Sequence, residues 1–198
     1  MTINADGDKL FTGQEDGDIQ IWDLPSFSTI ELKAHPKLVT SLMSFGQYLA
    51  SGSYYDKYVY VWDIQEQKQI GIVNCRGPIN NIFMNDSNEM IINSDEGIFV
   101  QRVDLTDMKC YSTMPRLKNI TSDSICFFAD GDRFLAGCDK SCLIQSSLSN
   151  YANSGMDRRR RLDGRIVNMK LNRSESHVYV NTQDSICQLS VHDFNKEL

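Results

Sequence analysis

The chain has 198 residues, of which 41% are hydrophobic and 23% are charged, and its formal net charge at pH 7 is −6. This composition is typical of an ordinary soluble globular protein and excludes a wholly disordered chain. The acidic balance argues against a broad nucleic-acid-binding surface, because such a surface needs an excess of lysine and arginine; a local basic patch remains compatible with it.

The N-terminal segment MTINADGDKL lacks the basic start and apolar run of a secretory signal. No apolar segment approaches the ~18–20 residues needed to cross a bilayer, so we expect no membrane partner. The six cysteines are Cys75, Cys110, Cys126, Cys138, Cys142 and Cys187. In a chain of this length without a signal sequence, they are predicted to be free thiols of a cytoplasmic or nuclear protein.

The first predicted unit covers approximately residues 1–33. It opens on a strand, TINAD, and the turn sequence ADGD occupies residues 5–8. Aspartate and glycine suit a turn because glycine tolerates positive φ and aspartate forms local hydrogen bonds. An alternating run then begins three residues after Asp16, in the sequence EDGDIQIWD.

The second unit covers approximately residues 34–74 and shows four strands most clearly. The segments VTSLMSF, YLASGSY, YVYVWDI and QKQIGIV follow one another with turn residues between them. In the third segment, Val59 and Val61 alternate with Tyr58 and Tyr60, which is the period of two that a strand requires.

The remaining units cover approximately residues 75–115, 116–162 and 163–198, and they are recognised by the spacing of one aspartate. That aspartate precedes an alternating run in every unit, as Asp16, Asp56, Asp95, Asp139 and Asp184, at intervals of 40, 39, 44 and 45 residues. This is the period of a four-stranded propeller blade. The sequence therefore predicts an all-β protein, a β-propeller of four-stranded antiparallel blades with about five blade units.

Tryptophan–aspartate pairs at the end of the third strand and a histidine before the first strand indicate the family. These residues are Trp22-Asp23 and Trp62-Asp63, with Ala34-His35 where the family usually has Gly-His. The segment from Leu32 to Asp63 resembles a near-complete WD repeat, and the chain is identified as a member of the WD-repeat β-propeller family. The later units carry other residues at the tryptophan position, namely Gln101, Gln145 and Ser190.

The resemblance assigns a structural role to residues that could otherwise be taken for a catalytic triad. In WD repeats the matching side chains form a hydrogen-bond chain inside the blade, here predicted for His35, Ser51 or Ser53, Asp56 and Trp62. The same histidine, serine and aspartate types make a hydrolase relay. The structural interpretation is preferred, since a G-x-S-x-G nucleophile elbow is absent from the sequence.

No other motif predicts catalysis, a cofactor, a metal site or a small-molecule substrate. Cys138 and Cys142 have loose metal-ligand spacing, but no second Cys or His pair completes the set. The Asp-Gly-Asp turns lack the later glutamate of a calcium loop, and a phosphate-binding glycine loop is absent from the sequence. The chain is therefore predicted not to be an enzyme.

Two features are candidate partner-binding sites. Tyr54 and Tyr55 lie in a turn one residue longer than its counterpart in the first unit, and tyrosine is enriched at interface hot spots. The alternative is that one tyrosine folds back onto the neighbouring blade.

The second feature is a run of arginines in an otherwise acidic chain. It comprises Arg158, Arg159, Arg160 and Arg161, with Arg165 shortly after. Guanidinium groups bind carboxylates and phosphates, so the run is predicted to dock an acidic or phosphorylated segment, to contact RNA or to act as a nuclear-import signal. Alternatively, it is the outermost strand of the fourth blade, where exposed charge prevents edge-to-edge aggregation.

The leading hypothesis for function is a non-catalytic scaffold or adaptor that binds protein partners through its loop faces. The alternatives are a ribonucleoprotein subunit that uses the arginines, and a regulatory propeller of a larger enzyme such as a ubiquitin ligase or a kinase. Because an open arc of blades would expose apolar faces, the chain is expected to be part of a longer propeller, often of seven blades. A five-bladed ring, or a ring completed by a second chain, is the alternative.

Overall fold

The computed structural model describes residues 1–75, 77–84, 89–94, 97–103, 110–113, 124–128, 130, 132–138, 142–147 and 158–192. The chain is all-β, and its strands form antiparallel sheets, which confirms the predicted fold class. It divides into two compact units, the first containing the sheets up to Thr113 and the second those from Ser124 onward. No helix in the described ranges is long and apolar enough to span a membrane.

The first unit begins with two four-stranded sheets in which each strand pairs with the next. The strands of the first sheet are β1 (Thr2–Ile3), β2 (Lys9–Gly13), β3 (Asp18–Asp23) and β4 (Thr29–Lys33). Those of the second are β5 (Val39–Phe45), β6 (Tyr48–Ser53), β7 (Tyr58–Asp63) and β8 (Lys68–Asn74). The alternation predicted for β7 is present, since Val59 and Val61 are buried while Tyr58 is exposed.

The third sheet of this unit has the strands β9 (Ile79–Met84), β10 (Glu89–Ser94), β11 (Gly97–Val103) and β12 (Cys110–Thr113). Two hydrophobic clusters join the three sheets. One contains Phe11, Ile21 and Trp62 and lies between the first and second sheets. The other contains Val59 and Ile79 and lies between the second and third. The second sheet therefore buries its two faces against the first sheet and the third.

The second unit has one four-stranded sheet and one sheet with three described strands. The strands of the first are β13 (Ser124–Phe127), β14 (Arg133–Cys138), β15 (Cys142–Ser147) and β16 (Arg158–Arg161). Those of the second are β17 (Ile166–Leu171), β18 (His177–Thr182) and β19 (Ile186–Ser190). A cluster that includes Leu135, Leu143, Val178 and Val180 fills the space between them.

Three pairs of successive sheets, two in the first unit and one in the second, share a packing contact in which a glycine faces a branched side chain. A Cβ added to Gly13 would lie 2.6 Å from Val39 Cβ, and one added to Gly52 would lie 2.6 Å from Ile79 Cγ2. In the second unit, Gly137 faces Ile166 in the same way, at 3.0 Å. The missing side chain makes room for the first branched residue of the next sheet.

Replacing Gly52 with alanine is expected to lower the free energy of unfolding by about 1–3 kcal/mol, because a new methyl group would overpack this contact. The change can be measured by urea denaturation. A second variant, Ile79→Ala, opens space at the same place, so the double variant should lose less stability than the sum of the two single losses. Strict additivity would contradict the packing explanation.

Candidate functional site

Four side chains form a closed hydrogen-bond network in the second sheet. His35 lies in the loop before β5, Ser51 in β6, Asp56 in the turn after β6 and Trp62 in β7. His35 Nδ1 is 2.7 Å from Asp56 Oδ2, and His35 Nε2 is 2.9 Å from Ser51 Oγ. Trp62 Nε1 donates to Ser51 Oγ at 3.0 Å. The network thus joins a loop, a turn and the two strands between which the turn runs.

Ser51 Oγ is the central atom of the network. The indole N–H can only donate, so Ser51 Oγ accepts from Trp62 and keeps its own hydroxyl hydrogen and a second lone pair for His35 Nε2. His35 Nδ1 forms the hydrogen bond to Asp56. Each side-chain group of the network thus has a partner.

The network has the connectivity of a catalytic triad without the access that a nucleophile needs. Ser51 and the side chain of His35 are fully buried. Tyr60 covers the imidazole, with the two ring centroids 4.6 Å apart. Burial, followed by the negative charge of Asp56, raises the pKa of the Tyr60 hydroxyl. This sealed arrangement suits a structural connection between a loop and a turn.

Ser53, the other serine considered for the network, has different partners. Its Oγ donates to the Leu38 carbonyl at 2.7 Å and accepts from the Tyr55 N–H at 3.1 Å. Asp56 Oδ1 additionally accepts from the Tyr58 N–H at 3.0 Å. The turn that contains Tyr54 and Tyr55 is therefore tied at both ends.

The tied turn displays two tyrosines to solvent. Tyr54 is 43% exposed and Tyr55 is 56% exposed, and their rings meet edge to face with centroids 5.7 Å apart. Lys37 extends over the Tyr55 ring, with its Nζ 5.1 Å from the centroid. The sequence did not point to Lys37, because the contact joins residues of two separate loops. A rigid aromatic surface of this kind suits binding, since little conformational freedom is lost on association.

Comparison with known proteins places these features in a family. The family described as WD domain, G-beta repeat, matches residues 1–23 and 27–63, a range that contains the whole His35 network. The structure of the Cps50 (Swd1) β-propeller domain from Myceliophteria thermophila is similar, with a TM-score of 0.78 and 25% sequence identity. Residues 1–23 and 27–63 therefore match the WD-repeat family, and the chain is similar to a solved β-propeller.

These two proteins similar to the chain are longer than the chain itself. The similarity to the Cps50 (Swd1) domain covers 96% of this chain and 64% of that domain. A Lotus japonicus protein that carries the name E3 ubiquitin-protein ligase LIN-1 is 29% identical over 152 residues, or 74% of this chain. The chain spans only 10% of the length of that relative.

One exposed residue of the first blade was not anticipated from the sequence. Phe27 is 82% exposed and lies in the turn between β3 and β4 with a φ of 57°. The corresponding turn of the second blade has Gln67, with a φ of 53°. A bulky aromatic residue is unfavourable in this left-handed conformation and in water, so Phe27 is a second exposed apolar position.

The arginine run forms the strand β16 at the edge of its blade. Its backbone pairs with β15, from Arg158 opposite Gln145 to Arg161 opposite Cys142. Arg160 is half-buried and Arg161 is exposed. The side chains of Arg158 and Arg159 lie outside the described residues. Arg165, which comes just before β17, is exposed, and its carbonyl accepts from the Gln183 N–H.

The described cysteines Cys75, Cys126, Cys142 and Cys187 are free thiols. Burial raises the pKa of the Cys126 thiol to about 12. Within the part of the chain that the structure describes, no three His, Cys, Asp or Glu side chains lie together as metal ligands. The side chains of Cys110 and Cys138, and the repeat residues Asp95 and Asp139, fall outside that part.

Proposed function

We propose that this WD-repeat protein is a non-catalytic scaffold or adaptor that binds protein partners through the loops of its second blade. The observation that carries the proposal is the pair of exposed tyrosines on a turn that hydrogen bonds tie to the neighbouring loop. Exposed tyrosines on a preorganised support are favourable interface anchors. We further place the protein in the cytoplasm or the nucleus, consistent with its free thiols.

Burial of the triad-like residues supports a non-catalytic role for the second blade. A serine nucleophile has to reach the substrate carbonyl, whereas Ser51 is fully buried and its Oγ already accepts from Trp62. The same network holds the tyrosine turn in place through Asp56. In this proposal the buried residues support the binding surface and have no chemical step to perform.

A second candidate is a recognition module within a larger protein. It is favoured by the similarity to a relative named as an E3 ubiquitin-protein ligase, of which this chain spans 10%. In such a protein the propeller would select a substrate and another domain would act on it. Both candidates use the same binding surface, so one experiment tests their shared part.

The test is affinity capture from cell lysate followed by mass spectrometry, with the native chain and a Tyr54→Ser, Tyr55→Ser double variant. Partners that use this turn should fall in abundance about tenfold or more, since a tyrosine hot spot contributes about 2 kcal/mol or more. Tyr179→Ser is the matched control, because Tyr179 is 45% exposed and lies in β18. Unchanged capture by the double variant, or an equal loss with the control, would contradict the proposal.

A further variant that changes Arg158 to Arg161 to glutamate separates the two candidate sites. Partners lost only with this variant would assign binding to the blade edge and away from the tyrosine turn. The ribonucleoprotein alternative would be favoured if this variant loses bound RNA and if the native chain binds RNA with an affinity that falls steeply as the salt concentration rises.

A further inference from the structure

We propose that the surface formed by Lys37, Tyr54, Tyr55 and Lys57, here called the Tyr–Lys surface, binds an acidic peptide segment of a partner protein. This inference rests on the proposed function, because it specifies what the tyrosine turn recognises. The Tyr–Lys surface combines two loops of one blade, residues 35–38 and 54–57, which the Ser53–Leu38 and His35–Asp56 hydrogen bonds hold together.

The exposed charged side chains of the two loops are both cationic. They are Lys37 and Lys57. The acidic residue of the same loops, Asp56, has a side chain that is only 10% exposed and that is held by His35. The Tyr–Lys surface therefore offers two ammonium groups to a ligand, although the whole chain has a net charge of −6. The exposed residues Glu15 and Asp16 border the Tyr–Lys surface on one side, because their turn in the first blade packs through Gly17 against His35 and Lys37.

Both lysines are available to a ligand. Within the described residues, neither Lys37 nor Lys57 forms an ion pair, whereas Lys9 pairs with Asp23 at 3.4 Å. The Tyr55 ring attracts the Lys37 ammonium and orients it over its face without neutralising its charge. A ligand carboxylate can therefore bind a lysine whose freedom is already reduced.

The tyrosine rings favour a peptide as the source of the carboxylates. Tyr54 and Tyr55 offer apolar ring surface on which a main chain can pack. A single nucleic-acid strand also stacks on aromatic rings, but its affinity depends on neutralising several phosphates. Two lysines provide little of that neutralisation, whereas a peptide also gains from packing its main chain on the rings, so an acidic peptide fits better.

The experiment measures fluorescence anisotropy of a labelled 12-residue peptide of alternating glutamate and serine, titrated with the 198-residue chain. A peptide with glutamine in place of glutamate and a 12-residue oligo-uridine are the comparison probes. The protein variants are Lys37→Gln with Lys57→Gln, Tyr55→Ser, and the control Lys68→Gln. Lys68 is an exposed lysine of β8 in the same blade, so its replacement removes a similar surface charge.

The acidic peptide should bind more tightly than the glutamine peptide. Its Kd should rise about fivefold in the double lysine variant, since each exposed charge pair contributes about 0.2–1 kcal/mol. Tyr55→Ser should also weaken binding, and Lys68→Gln should have no effect. Equal weakening by Lys68→Gln, equal binding of both peptides, or tighter binding of oligo-uridine would overturn the inference.

The two proposals fail in different ways. If the acidic peptide does not bind but the Tyr54→Ser, Tyr55→Ser variant loses its captured partners, the proposed function stands and the acidic ligand is wrong. If the peptide binds at the Tyr–Lys surface but capture is unchanged, the site is real and the adaptor role is wrong.

Discussion

A Gly17→Ala variant is expected to lose about 2–5 kcal/mol of folding free energy, because a side chain at this position is strained and has no space. Gly17 has a φ of 98°, in the left-handed region, and an added Cβ would lie 1.9 Å from the His35 carbonyl oxygen. The Gly17 carbonyl also accepts from the His35 N–H at 2.9 Å. The variant would therefore separate the first blade from the loop that positions His35.

The control for this prediction is another glycine with a left-handed backbone. Gly7 has a φ of 74°, but no atom lies within 4 Å of an added Cβ. Gly7→Ala should therefore cost only the backbone strain, about 1–2 kcal/mol. Guanidinium denaturation of both variants measures the difference. Equal losses would show that the close approach to the His35 loop does not limit stability.

A Ser51→Ala variant is expected to lower the free energy of unfolding by about 2–5 kcal/mol, because two buried groups would lose their partner at once. Ser51 Oγ is the shared atom of the network, bonded to both His35 Nε2 and Trp62 Nε1. Each unsatisfied buried group costs about 1–3 kcal/mol. Because Ser51 is fully buried, bulk solvent does not reach the two groups that lose their partner.

Ser44→Ala provides a matched comparison, since Ser44 Oγ donates to the Ile3 carbonyl at 2.8 Å in an exposed hydrogen bond. Ser44→Ala should lower the free energy of unfolding by about 1 kcal/mol or less, because water replaces the lost hydrogen-bond partner. Urea unfolding followed by tryptophan fluorescence measures both variants. A Ser51→Ala loss no larger than that of Ser44→Ala would mean that the buried network contributes little to stability.

The sequence predicted the fold because the repeat and the strand alternation are local properties. Val59 and Val61 could be assigned to one face of a strand directly, and the structure buries both. Strand ends were less predictable. β8 begins at Lys68 because Gln67 adopts a left-handed conformation that ends the turn, and glutamine gives no signal of this.

The candidate site was predictable in its residue types and less so in its contacts. Ser51 and Ser53 lie two residues apart on the same face of β6, so periodicity alone could not decide which of them contacts His35. In the neighbouring strand β5 the register shifts between Val39 and Ser41, so that Val39 lies opposite Ser53 and Leu42 lies opposite Ser51. The contact of Lys37 with Tyr55 depends on how two loops pack, which no short sequence pattern encodes.

The glycine contacts between blades give the repeat array a direction. Each contact has one half in a blade and the other half in the blade that follows, as with Gly52 and Ile79. A repeat transplanted into another propeller would therefore have to match both of its new neighbours. For the second blade, the donor would need a branched residue at the position of Val39 and a glycine at the position of Gly52. In protein engineering, the two residues of each junction between blades consequently have to be exchanged together.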